Sequence, residues 1–479
     1  MTAPPDDEIC APAGGADPCD SPGPNHPGAA RRRVTLLDGD VRRTVIWLAL
    51  PVLGEQLLNA GVAWNDQFLA GFFDKTATGA VGFAAYISWL MNMLFMLVGI
   101  GATAIVARSI GAGNEREARH ATNQAIRLAI AMGLIGMVVV YAGARTLIQF
   151  CNISGPMADM IVTFLYIEAT VLVIEAVTFV GAACLRGAGD TRTPMVVLGV
   201  VNLVNMAVSW LLAFAFDFGI AGIAWGTVMA RVVGGAMMMY VLTVRHAELR
   251  VSPVGMRTDR TMIRRVLRIG LPAAVDGMLL WAGHFIFMRF VTRSGGGYDG
   301  DTLFAAHMIG IRIESLSYLP ALAWATAAAT LVGQNLGAGK PDRARRCANE
   351  SMFQSMALLI FVGVLYFVFA PHFYAFLSGD ARVIDCGVPA LRALAIVQPT
   401  LALLIVYMHA LRGAGDTLVP MLFTIVGMIF LRLPVAYVCG VVMQGALLGA
   451  WLGMFVDLLA RSALVTWRFR SGRWMKIRV

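Results

Sequence analysis

Charge is what this sequence has too little of. Of its 479 residues only 14% are Asp, Glu, Lys or Arg, where a soluble globular chain carries about 25%. So few charges cannot cover a surface that faces water all round, and lipid must solvate much of the exterior. Cysteine is sparse and unpatterned. There are seven, with Cys10 and Cys19 near the start and Cys184 and Cys439 in apolar runs, and no CxxC or Cys/His spacing. That argues against a disulfide framework or a structural metal centre. No HExxH, GxSxG or paired-acid signature occurs, so the expectation is a protein that is not an enzyme. Residues 1–30 lack any apolar run and are rich in Pro, Gly, Ala and Asp. They read as a disordered tail rather than a signal peptide, which needs a basic stretch followed by an apolar core.

What is present is apolar sequence: 58% hydrophobic residues and a mean hydropathy of +0.71. About 20 apolar residues span a bilayer as a helix. Twelve such runs stand out, the first near residues 45–72 and the last near 446–467. The loops between them alternate in basic content. One set, with the two tails, holds 28 of the 38 Lys and Arg, the other holds four, and six lie within the runs. The positive-inside rule then places both termini in the cytoplasm of a multi-pass plasma-membrane protein. The net charge of +9 follows from topology and from contact with anionic lipid head groups, so no nucleic-acid partner is expected.

The sequence also repeats itself. Leu185-Arg-Gly-Ala-Gly-Asp-Thr191 with Pro194-Met195 recurs as Leu411-Arg-Gly-Ala-Gly-Asp-Thr417 with Pro420-Met421, an offset of 226. Gly111-Ala-Gly113 and Gly337-Ala-Gly339 match at the same offset, and Leu50-Pro51 matches Leu271-Pro272 at 221. Six spans per half give both halves one orientation, related by an axis along the membrane normal. The expected organisation is a cytoplasmic tail over 1–40, a six-helix bundle over 41–245, a cytoplasmic linker over 246–262, a second bundle over 263–468 and a basic tail over 469–479. In the repeated loops, Arg186 with Asp190 and Arg412 with Asp416 are expected to pair and lock each turn.

Two six-helix halves with Leu-Pro in the first span, Gly-Ala-Gly after the second and Leu-Arg-Gly-Ala-Gly-Asp-Thr after the fourth resemble the multidrug and toxic compound extrusion (MATE) family over roughly residues 41–468. The resemblance implies an all-α membrane fold of twelve helices in two homologous bundles around a V-shaped cavity. It implies export of small organic cations or amphiphiles against protons or sodium ions, with no other cofactor. A monomer is expected. Within transport, the competing reading is a lipid-linked saccharide flippase of related fold, which would show extra spans and a strongly basic cavity.

A carboxylate inside the membrane is costly and marks function. Asp66 in the first span, Asn205 and Ser209 in the fifth and Thr227 in the sixth lie at one depth, counted along their helices at 1.5 Å per residue. They can form an oxygen-rich site for a coupling proton or sodium ion. In the archaeal and DinF-like branch of the family a similar set is Asp, then Asn and Asp four apart, then Thr. Asp66, Asn205 and Thr227 match it, while Ser209 replaces the second acid, which tilts the expectation from sodium toward protons. The acids of the NorM-like branch have no match here, since Leu401 stands where one is expected. Glu55, Glu175, Asp276, His307, Arg312 and Glu314 are further candidates for the cavity wall or a gate, Glu175 alternatively pairing with Arg231. Asp457 and Arg461, four apart, are expected to pair with each other.

Overall fold

The computed structural model describes residues 36–477 except Asp74, Asn152 and residues 253–256. Most of the expected tail over 1–40, the middle of the expected linker and the last two residues of the basic tail lie outside the described residues. Among the described residues, eleven helices are long and apolar enough to cross a membrane. They are α1 (Val41–Ala70), α2 (Lys75–Ala112), α3 (Glu115–Phe150), α6 (Arg192–Ala215), α7 (Gly219–Arg245), α8 (Arg260–Val291), α9 (Gly300–Gly337), α10 (Pro341–Leu377), α11 (Ala381–Gly413), α12 (Leu418–Val442) and α13 (Ala446–Arg470). A bent pair, α4 (Pro156–Ala169) and α5 (Leu172–Gly187), meets at 56° and completes twelve spans. The last turns of α6 and α7, and much of α12, widen into π-helix.

Local chemistry starts and stops these helices. Asp40, Asn114, Asp259, Asp299 and Asp380 each accept a hydrogen bond from a backbone N–H of the following first turn, which satisfies donors a helix start leaves open. The repeated loops end helices in the same way twice. Gly189 and Gly415 adopt φ of 86° and 88°, and the amides of Asp190 and Asp416 donate back to the carbonyls of Leu185 and Leu411 at 2.8 and 2.9 Å. Only glycine takes that backbone conformation without strain.

The expected locking pairs do not form. Arg186 instead reaches Glu55 on α1 at 2.5 Å, and Arg412 reaches Asp276 on α8. Glu55 and Asp276 stand at matching positions of the two halves, so each bundle ties the arginine at the end of its fourth span to its own first helix. Asp190 has turned to cap the next helix, accepting from the amides of Arg192 and Thr193, and also meets His246 at 2.8 Å. Asp416 meets Arg468 at 2.8 Å. The arginine sits on the final helical turn facing a neighbouring helix, whereas the aspartate lies beyond the glycine, and the two side chains diverge.

In lipid, helices associate through close packing of small residues rather than through water exclusion. The core shows this: Ala321, Ala323, Ala325, Ala327 and Ala328 of α9 are all fully buried, while Phe376, Phe150 and Ile396 point outward, exposed by 70% or more. The early part of α1 (Val45, Leu48, Ala49, Val52) packs into the apolar cluster built by α9, α10 and α11. Its counterpart on α8 (Met262, Val266, Ile269, Ala274) packs into the cluster of the first bundle. The first helix of each bundle thus begins against the other bundle. On the same face, α2 and α9 cross so closely that a Cβ on Gly111 would lie 1.9 Å from the Gln334 carbonyl oxygen, and one on Gly337 would lie 2.0 Å from that of Arg108. These glycines correspond across the repeat, so the termini-bearing face closes symmetrically about the axis. Gln334 and Thr330 of α9 strengthen it by donating to the carbonyls of Gly187 and Arg186 at 2.9 and 3.0 Å.

Candidate functional site

A cavity of about 690 Å³ lies inside the first bundle. Its wall comes from α1, α2 and α4 to α7. The second bundle contributes Leu322, Thr326, Ala329, His409, Arg412 and Gly413, all from the termini-side parts of α9 and α11. The volume is that of a site for a drug-sized ligand. Apolar wall comes from Trp89, Met93, Met96, Phe164, Phe179 and Met238, flexible and aromatic side chains that adapt to varied shapes.

The four residues expected at one depth meet, with Asp66, Asn205 and Thr227 on the wall of this cavity and Ser209 joined to them through Asn205. Asp66 Oδ1 accepts from Asn205 Nδ2 at 3.2 Å, and Asp66 Oδ2 from Thr227 Oγ1 at 3.0 Å. The same Asn205 amide nitrogen donates to Thr227 Oγ1 at 3.0 Å and to Ser209 Oγ at 3.3 Å. Asn205 Oδ1 is occupied by Asn65 Nδ2 at 2.9 Å. All four side chains are buried. The close approach of α6 and α7 rests on Gly226, where a Cβ would sit 2.2 Å from Ser209 Oγ. The centre of the cluster is therefore a donor, the amide of Asn205, surrounded by oxygens.

A second charged group lies on the same cavity wall, and the sequence reading had only half of it. Arg231 on α7 bridges Glu168 at 3.3 Å and Glu175 at 3.0 Å. Glu168 ends α4 and Glu175 opens α5, so the guanidinium clasps the two sides of the bend. Ser88 on α2 donates to Glu168 at 2.7 Å and Asn92 to Glu175 at 3.3 Å. Glu168 was missed because a single Glu in an apolar run carries no local signal. Its seven-residue spacing from Glu175, two helical turns on one face, was the available clue. Toward the termini side, the Glu55–Arg186 pair also faces the cavity.

The remaining candidates do not reach it. Asp276, His307, Arg312 and Glu314 do not line the cavity. Asp276 is bound to Arg412. His307 is buried and accepts at Nδ1 from Trp451 Nε1 at 3.0 Å. Arg312 is exposed, on another face from buried Glu314. Trp451, Tyr374 and Phe287 are fully buried there and fill the space that the first bundle leaves open. Asp457 and Arg461 pair as expected, through two contacts of 2.6 Å.

Comparison with known proteins bears on the fold and the family. The MatE family model matches residues 51–211 and 272–438. A probable multidrug resistance protein NorM of Thermotoga maritima is 31% identical over 442 residues, which cover 91% of this chain and 94% of the relative. A FAD transporter of Shewanella oneidensis is 23% identical over 412 residues, covering 84% and 88%. Among solved structures, a MOP superfamily transporter from Pyrococcus furiosus superposes with a TM-score of 0.86 at 20% identity, over 93% of this chain and 99% of that one, a likeness of fold. With both repeated halves matched by the family model and the Thermotoga maritima relative aligned nearly end to end, the chain belongs to the MatE family.

Proposed function

We propose that this protein is a secondary active multidrug exporter, which moves small organic cations or amphiphiles out across the plasma membrane in exchange for protons or sodium ions. The observation that carries the reading is a buried carboxylate, Asp66, set in a polar cluster on the wall of a drug-sized cavity inside a membrane-spanning bundle. The relative named as a probable multidrug resistance protein supports the same direction. Asp66 is the coupling group. It takes up the ion from outside, and the two bundles rock about their shared axis so that Asp66 faces the two sides in turn. Both termini lie in the cytoplasm, and the protein works as a monomer built from bundles over 41–245 and 263–468.

Within the family, the placement of Asp66, Asn205 and Thr227 favours the DinF-like pattern. Protons suit the cluster better than sodium. A sodium ion needs oxygen ligands on several sides, and here an amide nitrogen holds the centre while Ser209 supplies a neutral oxygen in place of an acid. The saccharide-flippase reading is disfavoured by the lining, where Glu55, Asp66, Glu168 and Glu175 outnumber Arg186, Arg231 and Arg412. The test is efflux of a fluorescent cation from proteoliposomes with proton and sodium gradients imposed separately. Neither gradient driving uphill efflux would refute the reading.

A further inference from the structure

The clasp of Glu168, Arg231 and Glu175 is built for something other than holding the fold. At the repeat offset of 226, Glu168 corresponds to Leu394, Glu175 to Leu401 and Arg231 to Asp457. Leu394 and Leu401 are buried apolar core in the second bundle. Neither acid has a counterpart there, and the position of Arg231 holds Asp457, which pairs with Arg461 instead. Burying charge is costly and only partly returned by pairing, and the second bundle closes the positions of both acids with buried leucine.

The charges do not cancel. Ser88 and Asn92 donate to carboxylate oxygens of Glu168 and Glu175, and Arg231 stands 3.3 and 3.0 Å from one oxygen of each. Two acids share one guanidinium, so one of them has no cation of its own. Ser88, Asn92, Glu168, Glu175 and Arg231 all line the cavity, together with Trp89, Met93 and Phe164. A charged patch beside an aromatic and thioether wall matches a ligand with one cationic head on a flat apolar body. Arg231 acts as a resident cation that satisfies one of the two acids permanently.

We propose that this clasp is the specificity-determining element for cargo charge, and that its residual charge of one sets a preference for monocations over neutral molecules and dications. The proposal rests on the export reading above but concerns binding, so it can be tested without any ion gradient. The probes are three members of one aromatic scaffold, bearing no, one or two permanently charged ammonium groups, with affinity measured on purified protein in lipid nanodiscs. Wild-type protein should bind the monocation tightest. Glu175→Gln leaves the clasp neutral and should weaken the monocation roughly tenfold or more relative to the neutral probe. Arg231→Gln leaves two negative charges and should shift preference to the dication by a similar factor. The double variant Glu168→Gln with Arg231→Gln returns the charge to one and should restore the monocation preference. It also serves where Arg231→Gln alone, with two unpaired acids, does not yield folded protein. An order of affinities that is the same in wild type, Glu175→Gln and the double variant would overturn the proposal. Loss of gradient-driven efflux with this charge ordering intact would count against the coupling assignment instead.

Discussion

Placing an alanine at Gly111 and at Gly337 should open the termini-bearing face. The obstruction can be measured. A Cβ at these positions would stand 1.9 and 2.0 Å from backbone carbonyl oxygens, where real Cβ atoms keep beyond about 3.0 Å. Each substitution therefore demands that α2 and α9 separate by about 1 Å. Backbone oxygens cannot swing aside as a flexible side chain could. Overpacking of this size costs roughly 1–3 kcal/mol, charged only to the conformation in which the helices cross. A free-energy difference of that size moves the ratio of open to closed protein by roughly five- to 150-fold per substitution. Spin labels on Glu115→Cys and Asp342→Cys, both exposed on that face, would report the inter-bundle distance by double electron–electron resonance in a background free of native cysteines. The double alanine variant should populate longer distances. Gly143→Ala, where an added Cβ meets nothing within 4 Å, should leave the distribution alone. An unchanged distribution in the double variant would refute the idea that this crossing is the closed gate.

Three further outcomes are expected. Asp66→Asn should abolish uphill efflux in proteoliposomes with expression near normal, and Ser209→Asp should raise the response to an imposed sodium gradient. Pumping at the normal rate by Asp66→Asn would reject Asp66 as the coupling group. Asp276→Asn leaves Arg412 buried without its carboxylate, and thermal unfolding in detergent should show a loss of about 3–5 kcal/mol, part of it recovered when the pair is swapped as Asp276→Arg with Arg412→Asp. A cysteine at position 255 should react with an impermeant thiol reagent only after the membrane is breached, and labelling in intact cells would reverse the proposed orientation.

Much of the architecture could be read directly from the chain because a bilayer punishes exceptions. Every span must close its own backbone hydrogen bonds, so length and apolarity mark it. The grouping of Asp66, Asn205, Ser209 and Thr227 needed only depth along straight helices, since a rise of 1.5 Å per residue turns sequence position into height. Partnership around the bundle was harder. Arg186 and Asp190 are near neighbours in sequence, which suggested a bond, but the intervening glycine sends them to different helices. The bend between Ala169 and Leu172 carries neither proline nor glycine, so nothing local announces it. The seven-residue spacing of Glu168 and Glu175 hints at a shared face, but only the bend makes them two jaws of one clasp. Arg231 was open as a partner of Glu175, but that it serves Glu168 as well depends on how α7 is rotated about its axis, which its composition, apolar on nearly all sides, does not specify.

The unequal filling of the two bundles bears on how such a protein can change over generations. Closure is written twice, in glycines and arginine–acid pairs that answer one another across the axis, so a substitution in one copy must be tolerated by its twin. The clasp proposed to select cargo is written once, in residues of the first half. Drift in Glu168, Glu175 or Arg231 can therefore retune what is carried while the moving joint stays intact. On the proposed reading, duplication separates the machinery of movement, present in both halves, from an adaptable choice of passenger, present in one.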